Sequence, residues 1–260
     1  MQLRHQDRSI YFQEQAECTS KYVIPYIEQK LSIKANLRIL EIGCGEGGNL
    51  KPFLDLGCKC YGIDIDAKQI ENAKQFLSAS PNYNNVNLIA ADIYKISPQE
   101  IGTFDIIMLR DVIEHIPNQE KFMHNLKQFM HNDSIAFFGF PVWRNPFGGH
   151  QQICQNKWLS HMPWMHLLPA TWYKKLLEWG NETTTTIKSL LEIKSTGISL
   201  QRFEKILNKE QYQVLTHTHY LINPNYEIKF GLRPIIIAKL FRIPYLSDFY
   251  TTAMYYLIKK

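Results

Sequence analysis

The stretch LRILEIGCGEGGNLKPFLDLGCKCYGIDID, from Leu37 to Asp66, constrains the fold more than any other part of the chain. Leu37 to Ile42 is an apolar run too short for a core helix and stopped by glycine, which reads as a buried strand. Gly43, Gly45, Gly47 and Gly48 follow at once. Asn49 to Leu56 then places Leu50, Phe53 and Leu54 on one helical face, with Gly57 suited to the C-terminal cap. Cys60 to Ile65 is a second strand. A strand, a glycine turn, a helix and a strand in this order make a crossover unit, and such a connection pairs its two strands in parallel.

The alternation continues. Asp66, with Gln69 three residues later, resembles a capping box for a helix carrying Ile70, Ala73 and Leu77. Val86 to Ala90, Phe104 to Leu109 and Ser134 to Phe140 read as strands three to five, and Phe122, Leu126, Phe129 and Met130 recur at helical intervals between the last two. Residues 9–31 read as a helix ahead of the sheet, placed to cover a cleft at its edge. Beyond Pro141 the pattern breaks until a helix near Leu200 to Lys209, and Tyr212 to Ile222 and Phe249 to Ile258 read as two final strands. The expectation is one α/β domain with a Rossmann-like, mainly parallel seven-stranded sheet and helices on both faces. Residues 1–36 form its helical cover, 37–140 the core, 141–198 an insertion and 199–260 the end of the sheet.

Ligands in such sheets bind at the strands' C-terminal ends. Gly43 to Gly48 fits the G-x-G-x-x-G spacing of a dinucleotide loop, and Gly43 to Gly47 also fits the G-x-G-x-G spacing of a methyl-donor loop. In both, the absence of Cβ atoms lets backbone approach the ligand, so the glycines cannot choose between NAD and S-adenosylmethionine. Asp64, roughly 20 residues on, suits a ribose diol in either. Three features favour the methyl donor: Glu41 in the first strand, where an ammonium needs an anion, Asp92 in AADI after the third, and the run FDIIMLRDVIEHIPN at the fourth. Gly48 is read as a helix-packing glycine and Asp66 as a helix cap.

Together these segments resemble the class I S-adenosylmethionine-dependent methyltransferases over about residues 37–140. ILEIGCGEGG is similar to their first motif, YGIDID to the second, AADI to the third and FDIIMLRDVIEHI to the fourth-strand segment. The resemblance implies that Gly43, Gly45 and Gly47 line the methionyl part of S-adenosylmethionine and that Asp64 holds the ribose. It also implies that Ile65 lies against adenine, that Asp92 meets its amino group with Ile93 beside it, and that Arg110 supplies backbone near the methionyl end. It further implies an antiparallel pair for the last two strands. HNDS, from His131 to Ser134, departs from the family's glycine turn before strand five.

Methyl transfer needs alignment and a dry site more than covalent help, but a hydroxyl acceptor must also lose a proton. His115 and His150 are the catalytic candidates, the second from the loop NPFGGHQQ after strand five. Asp111, Glu114 and His115 stand at i, i+3 and i+4, so a helical turn would gather them on one face. They resemble the E-x-x-E-H segment of quinone-biosynthesis O-methyltransferases, where such residues can hold a divalent cation. Asp at the first position leaves the metal unassigned. The resemblance points to a small-molecule acceptor, hydrophobic or aromatic; a nicotinamide-dependent oxidoreductase or epimerase and a non-enzymatic cofactor-binding protein are the alternatives.

Composition excludes other classes. A net charge of +5 with scattered Lys and Arg does not foreshadow nucleic acid. The polar start, MQLRHQDRSIYFQEQ, and the five cysteines, read as reduced thiols with Cys58 and Cys60 serving packing, point to the cytoplasm. All five tryptophans, Trp143, Trp158, Trp164, Trp172 and Trp179, fall in the insertion, which is therefore read as an acceptor lid. RPIIIAKLFRIPY is read as a short helix between Pro234 and Pro244, buried against the sheet or in a subunit contact in preference to a peripheral membrane contact.

Overall fold

The computed structural model describes residues 7–260. The N-terminal segment forms α1 (Arg8–Cys18), one π-helical turn over Thr19–Val23 and α2 (Ile24–Glu28). The crossover unit follows as expected, with β1 (Arg38–Ile42), α3 (Leu50–Asp55) and β2 (Lys59–Asp64). Gly57 adopts φ +80°, the left-handed conformation that stops α3. Next come α4 (Ala67–Leu77), β3 (Val86–Ala90), α5 (Pro98–Ile101), β4 (Phe104–Arg110), α6 (Gln119–Leu126) and β5 (Met130–Phe140). HNDS lies inside β5, where the register with β4 shifts between Phe104 and Ile106. The insertion contains α7 (Lys157–His161), α8 (Ala170–Trp179) and α9 (Thr184–Thr196). After it come α10 (Leu200–Lys209), β6 (Gln213–Ile222), α11 (Pro224–Phe230), β7 (Ile235–Ile236) and β8 (Ala253–Lys259).

One sheet holds all eight strands in the order β3-β2-β1-β4-β5-β8-β6-β7. β1 to β5 are mutually parallel, and β8 runs antiparallel to both β5 and β6. The Rossmann-like, mainly parallel sheet is as read, with one strand more than seven. The extra strand, β7, replaces part of the helix expected over residues 234–244; the rest is a 3-10 turn over Lys239–Phe241. Pro234 and Pro244 leave too short a run for a stable helix, and the edge of β6 offers Ile235 and Ile236 a ladder instead.

Alternate residues of the central strands feed opposite faces. Leu40, Ile107, Leu109 and Phe138 join α6 and α10 in one core, whereas Ile39, Ile106, Met108 and Phe137 join the N-terminal helices and α3 in another. This is why β4 and β5 read as nearly continuous apolar runs. Glu41 shares the pleat of Ile39 and is fully buried on the N-terminal-helix side. All five cysteines are buried free thiols.

The insertion has its own small core, built from residues such as Leu159, Tyr173, Leu177 and Leu190. Four of its five tryptophans, Trp158, Trp164, Trp172 and Trp179, are exposed, Trp158 to 83%, and Trp143 packs half-buried on His166, so none belongs to that core or lines a cleft. Residues of α8 carry apolar side chains on two sides, and only the side with Tyr173 and Leu177 faces inward. The segment expected to be buried between Pro234 and Pro244 is also largely exposed, because β7 is the outermost strand.

Candidate active site

A cleft of about 620 Å³ opens at the C-terminal ends of β1, β2, β3 and β4, within the usual range for a small-molecule site. Along it lie Gly43 and Gly45, then Asp64 and Ile65, then Asp92, Ile93 and Tyr94, with Arg110, Asp111 and His115 at the other end. Sequence reasoning named most of these. It missed Arg8, Tyr11 and Gln15 of α1, which line the cleft as a wall, although it placed that helix as a cover. Their individual roles depend on a docking geometry that no local pattern encodes.

The glycine loop is held open by its backbone. Gly43, Gly45 and Gly47 have φ of +70°, +51° and +77°, a region in which a side chain is strained. Asp64 supports it: Oδ2 accepts from the Gly45 N–H at 2.8 Å and Oδ1 from the Asp66 N–H at 2.9 Å. Asp92 caps a following turn through the Tyr94 N–H at 3.0 Å. The two carboxylates therefore mark the ends of β2 and β3, and Ile65, exposed to 78%, follows Asp64 in the lining of the cleft. Gly48 and Asp66 behave as read. A Cβ on Gly48 would sit 2.6 Å from the Phe12 carbonyl, and Asp66 caps α4 by accepting from the Lys68 N–H.

Behind the loop lies a buried polar network. Asn49 donates to Glu41 Oε1 at 2.6 Å, while Glu41 Oε2 has no partner. Burial pushes the Glu41 carboxyl up to about 8, and the Asn49 hydrogen bond and the Arg110 charge only partly oppose it. Arg110 contributes more than the backbone role expected of it. Its guanidinium donates to Asn49 Oδ1 at 2.8 Å, Thr19 Oγ1 at 3.0 Å, Cys18 Sγ at 2.9 Å and Asn225 Oδ1. One side chain thus ties the glycine loop to the N-terminal helices and to α11. Arg8 adds a surface tie, donating to Glu46 Oε2 at 2.6 Å.

After β4, the helical turn expected to gather Asp111, Glu114 and His115 does not form. Asp111 adopts φ +56°, outside the 3-10 turn Ile113–His115. Its N–H is held by the Gly139 carbonyl at 2.7 Å, which draws the chain towards β5. His150 takes the third place instead, its ring 5.1 Å from that of His115 in an edge-on contact. One ligand atom from each of Glu114, His115 and His150 lies within 4.8 Å of the others. Glu114 is buried with no hydrogen bond to either oxygen and His115 Nε2 4.0 Å from Oε1, and burial, with Asp111 nearby, holds its carboxyl well above the usual range. Burial lowers His115, against the pull of Asp111, and lowers His150 to about 4, with His115 and His166 adding to the effect. Both imidazoles are therefore neutral near pH 7.

His217 and His219 lie on β6, apart from the residues that line the cleft. No residue of the insertion lines it.

A Rossmann-like sheet of this order, with a glycine loop after β1 and acidic residues after β2 and β3, is similar to the core of the class I S-adenosylmethionine-dependent methyltransferases. Residues 40–138 match the methyltransferase domain family. Over 95 residues the chain is 37% identical to a ubiquinone biosynthesis O-methyltransferase of Rhodopseudomonas palustris, covering 36% of each chain. Over 105 residues it is 30% identical to the sterol 4-C-methyltransferase strm-1 of Caenorhabditis elegans, covering 40% of this chain and 31% of that one. The chain thus spans about a third of the length of these curated relatives.

Among solved structures, a putative sarcosine dimethylglycine methyltransferase from Galdieria sulphuraria superposes with a TM-score of 0.59 at 11% identity, covering 93% of this chain and 85% of that one. The plantazolicin methyltransferase BpumL, crystallised with a triazolic, monoazolic or pentazolic analog and SAH, is also similar. Its pentazolic complex has a TM-score of 0.58 at 15% identity and covers 99% and 88% of the two chains. At such identity these two establish the fold alone.

Proposed function

We propose that the protein transfers a methyl group from S-adenosylmethionine to a hydroxyl oxygen of a small-molecule acceptor. The observation that carries this reading is the cleft itself, with glycine loop, Asp64 and Asp92 in series and the neutral His115 imidazole in its lining, backed by the ring of His150. The residues fit the donor: the orphaned Glu41 Oε2 behind the loop supplies an anion for an ammonium, Asp64 has lone pairs left for ribose hydroxyls, and Ile65 and Ile93 offer apolar faces to adenine. S-adenosylmethionine, when bound, supplies an electrophilic methyl group.

The chain's own work is alignment and proton removal. Tyr11, Arg8 and Gln15 of α1 close one side of the cleft and exclude water from the displacement. His115 lines the cleft and, being neutral, accepts the proton that the acceptor hydroxyl loses as its oxygen takes the methyl group. His150 packs on the His115 ring and orients it. The resemblance to ubiquinone biosynthesis O-methyltransferases supports oxygen as the acceptor atom and a hydrophobic or aromatic acceptor. The cytoplasm is the proposed compartment, and among the described residues no helix is long and apolar enough to cross a membrane.

The convergence of Glu114, His115 and His150 favours a second reading of the same step. These residues would hold a divalent cation that lowers the acceptor hydroxyl's pKa, and Glu114, with no hydrogen bond to either oxygen, would ionise as its ligand. The test of the function is a screen of metabolite extracts for acceptor-dependent formation of S-adenosylhomocysteine. Tight cofactor binding with no turnover in any fraction would replace the enzyme by a cofactor-binding protein.

A further inference from the structure

We propose that the segment from Leu232 to Leu246 is an interfacial surface that seats the protein on an anionic lipid bilayer. The segment follows α11 and runs along β7, the outer edge of the sheet. It is held in shape from behind. The Ile237 N–H donates to the His219 carbonyl at 2.9 Å, Arg242 Nε donates to the Ile237 carbonyl at 2.9 Å, and the Ser247 N–H donates to the Ile243 carbonyl at 2.9 Å. Ile237, Ser247 and Asp248 are buried as the fastening points. What the fastened segment presents outward is apolar: Ile236, Leu240, Phe241, Ile243 and Leu246 are all exposed, Leu240 to 85% and Phe241 to 61%. Exposed apolar side chains gathered in one segment mark a surface for something to cover.

Charge selects the occupant. Residues 228–246 contain no Asp or Glu, and Arg233 and Lys239 are the exposed cations of the segment. A second copy of the chain docked here about a twofold axis would set these cations against their own images. An anionic bilayer satisfies both halves of the pattern, taking the apolar tips into the boundary of the acyl chains and the cations among the headgroups. The segment is far too short to span, since a spanning helix needs about 20 apolar residues, so it rests on the surface. α11, which precedes the segment, is tied to the cleft residue Arg110, from which its Asn225 accepts.

The proposal concerns binding alone and is tested without turnover. The full chain is sedimented with vesicles of phosphatidylcholine, with or without phosphatidylglycerol. Binding is expected only to the anionic vesicles, weakening with salt as screening shortens the reach of the cations. Leu240→Glu with Phe241→Glu should reduce binding at least about tenfold, and Arg233→Gln with Lys239→Gln by about fivefold per charge removed. These side chains are exposed, so an unchanged melting temperature is the control; if the first pair lowers it, the second pair decides. Absence of sedimentation, equal binding by the variants, or a self-associated species that L240E/F241E disperses would each overturn the proposal.

Discussion

Replacing Glu41 by Gln tests the reading of the site most sharply, because the side chain keeps its shape and its hydrogen bond from Asn49 but loses the ability to ionise. In the folded protein the carboxyl titrates at about 8 against an ordinary value of 4.5, with burial as the main cause. The folded value lies above the unfolded one, so the folded state holds the extra proton. The stability this contributes is fully present below about 4.5 and is lost as the pH rises towards about 8. Each pH unit inside that window is worth about 1.4 kcal/mol, and the tails at each end reduce the total between about pH 5 and about pH 8 to about 3 kcal/mol. The buried histidines titrate in the opposite sense: His150, His166 and His219, each lowered to about 4, withdraw stability as the pH falls through the acid range. The absolute pH profile therefore mixes both effects, whereas the difference between E41Q and the wild type isolates Glu41. The assay is urea unfolding of both proteins across this range. E41Q should match the wild type near pH 5 and exceed its stability by about 3 kcal/mol near pH 8. Binding of an ammonium-bearing ligand should ionise Glu41 and release a proton, giving a calorimetric enthalpy that varies with the buffer for the wild type and not for E41Q. A stability difference independent of pH would refute the assignment of a buried, neutral Glu41.

Asp64→Ala removes the acceptor for the Gly45 N–H as well as the expected ribose contact, and calorimetry should show S-adenosylmethionine binding weakened by about 1–3 kcal/mol; unchanged affinity would take Asp64 out of the site. His115→Ala should lower turnover by roughly 10²- to 10⁴-fold with little change in cofactor affinity. Under the metal-free reading chelators leave the wild type active, whereas activity lost to chelator and restored by Mg²⁺ would assign Glu114, His115 and His150 to a cation. Gly48→Ala places a methyl group 2.6 Å from the Phe12 carbonyl and 2.8 Å from Gln15 Cβ, so α1 must back away. A loss of about 1–3 kcal/mol in stability is expected, together with weaker cofactor binding, and a neutral substitution would show that α1 is not seated on the loop.

The succession of strands from β1 to β5 and the loops that line the cleft were legible in the sequence because they depend on short-range patterns. Apolar runs, helical spacing and glycines within thirty residues of Leu37 each report on their own neighbourhood, and Asp64 and Asp92 are placed by the strands that end at them. The cluster of Glu114, His115 and His150 was legible only in part. His115 and His150 were named, but their contact depends on Asp111 turning into a left-handed conformation and pairing with Gly139, so the helical turn drawn through Asp111 was wrong. The four-way grip of Arg110 could not be read either, since its partners Cys18, Thr19, Asn49 and Asn225 come from three distant segments. The same limit governed the insertion and the 232–246 segment. A cluster of tryptophans or a basic apolar run is equally compatible with burial and with exposure, and its fate is set by whether another element arrives to cover it. Here the insertion closed its core with other residues, and β7 formed the outer edge of the sheet with nothing beyond it among the described residues.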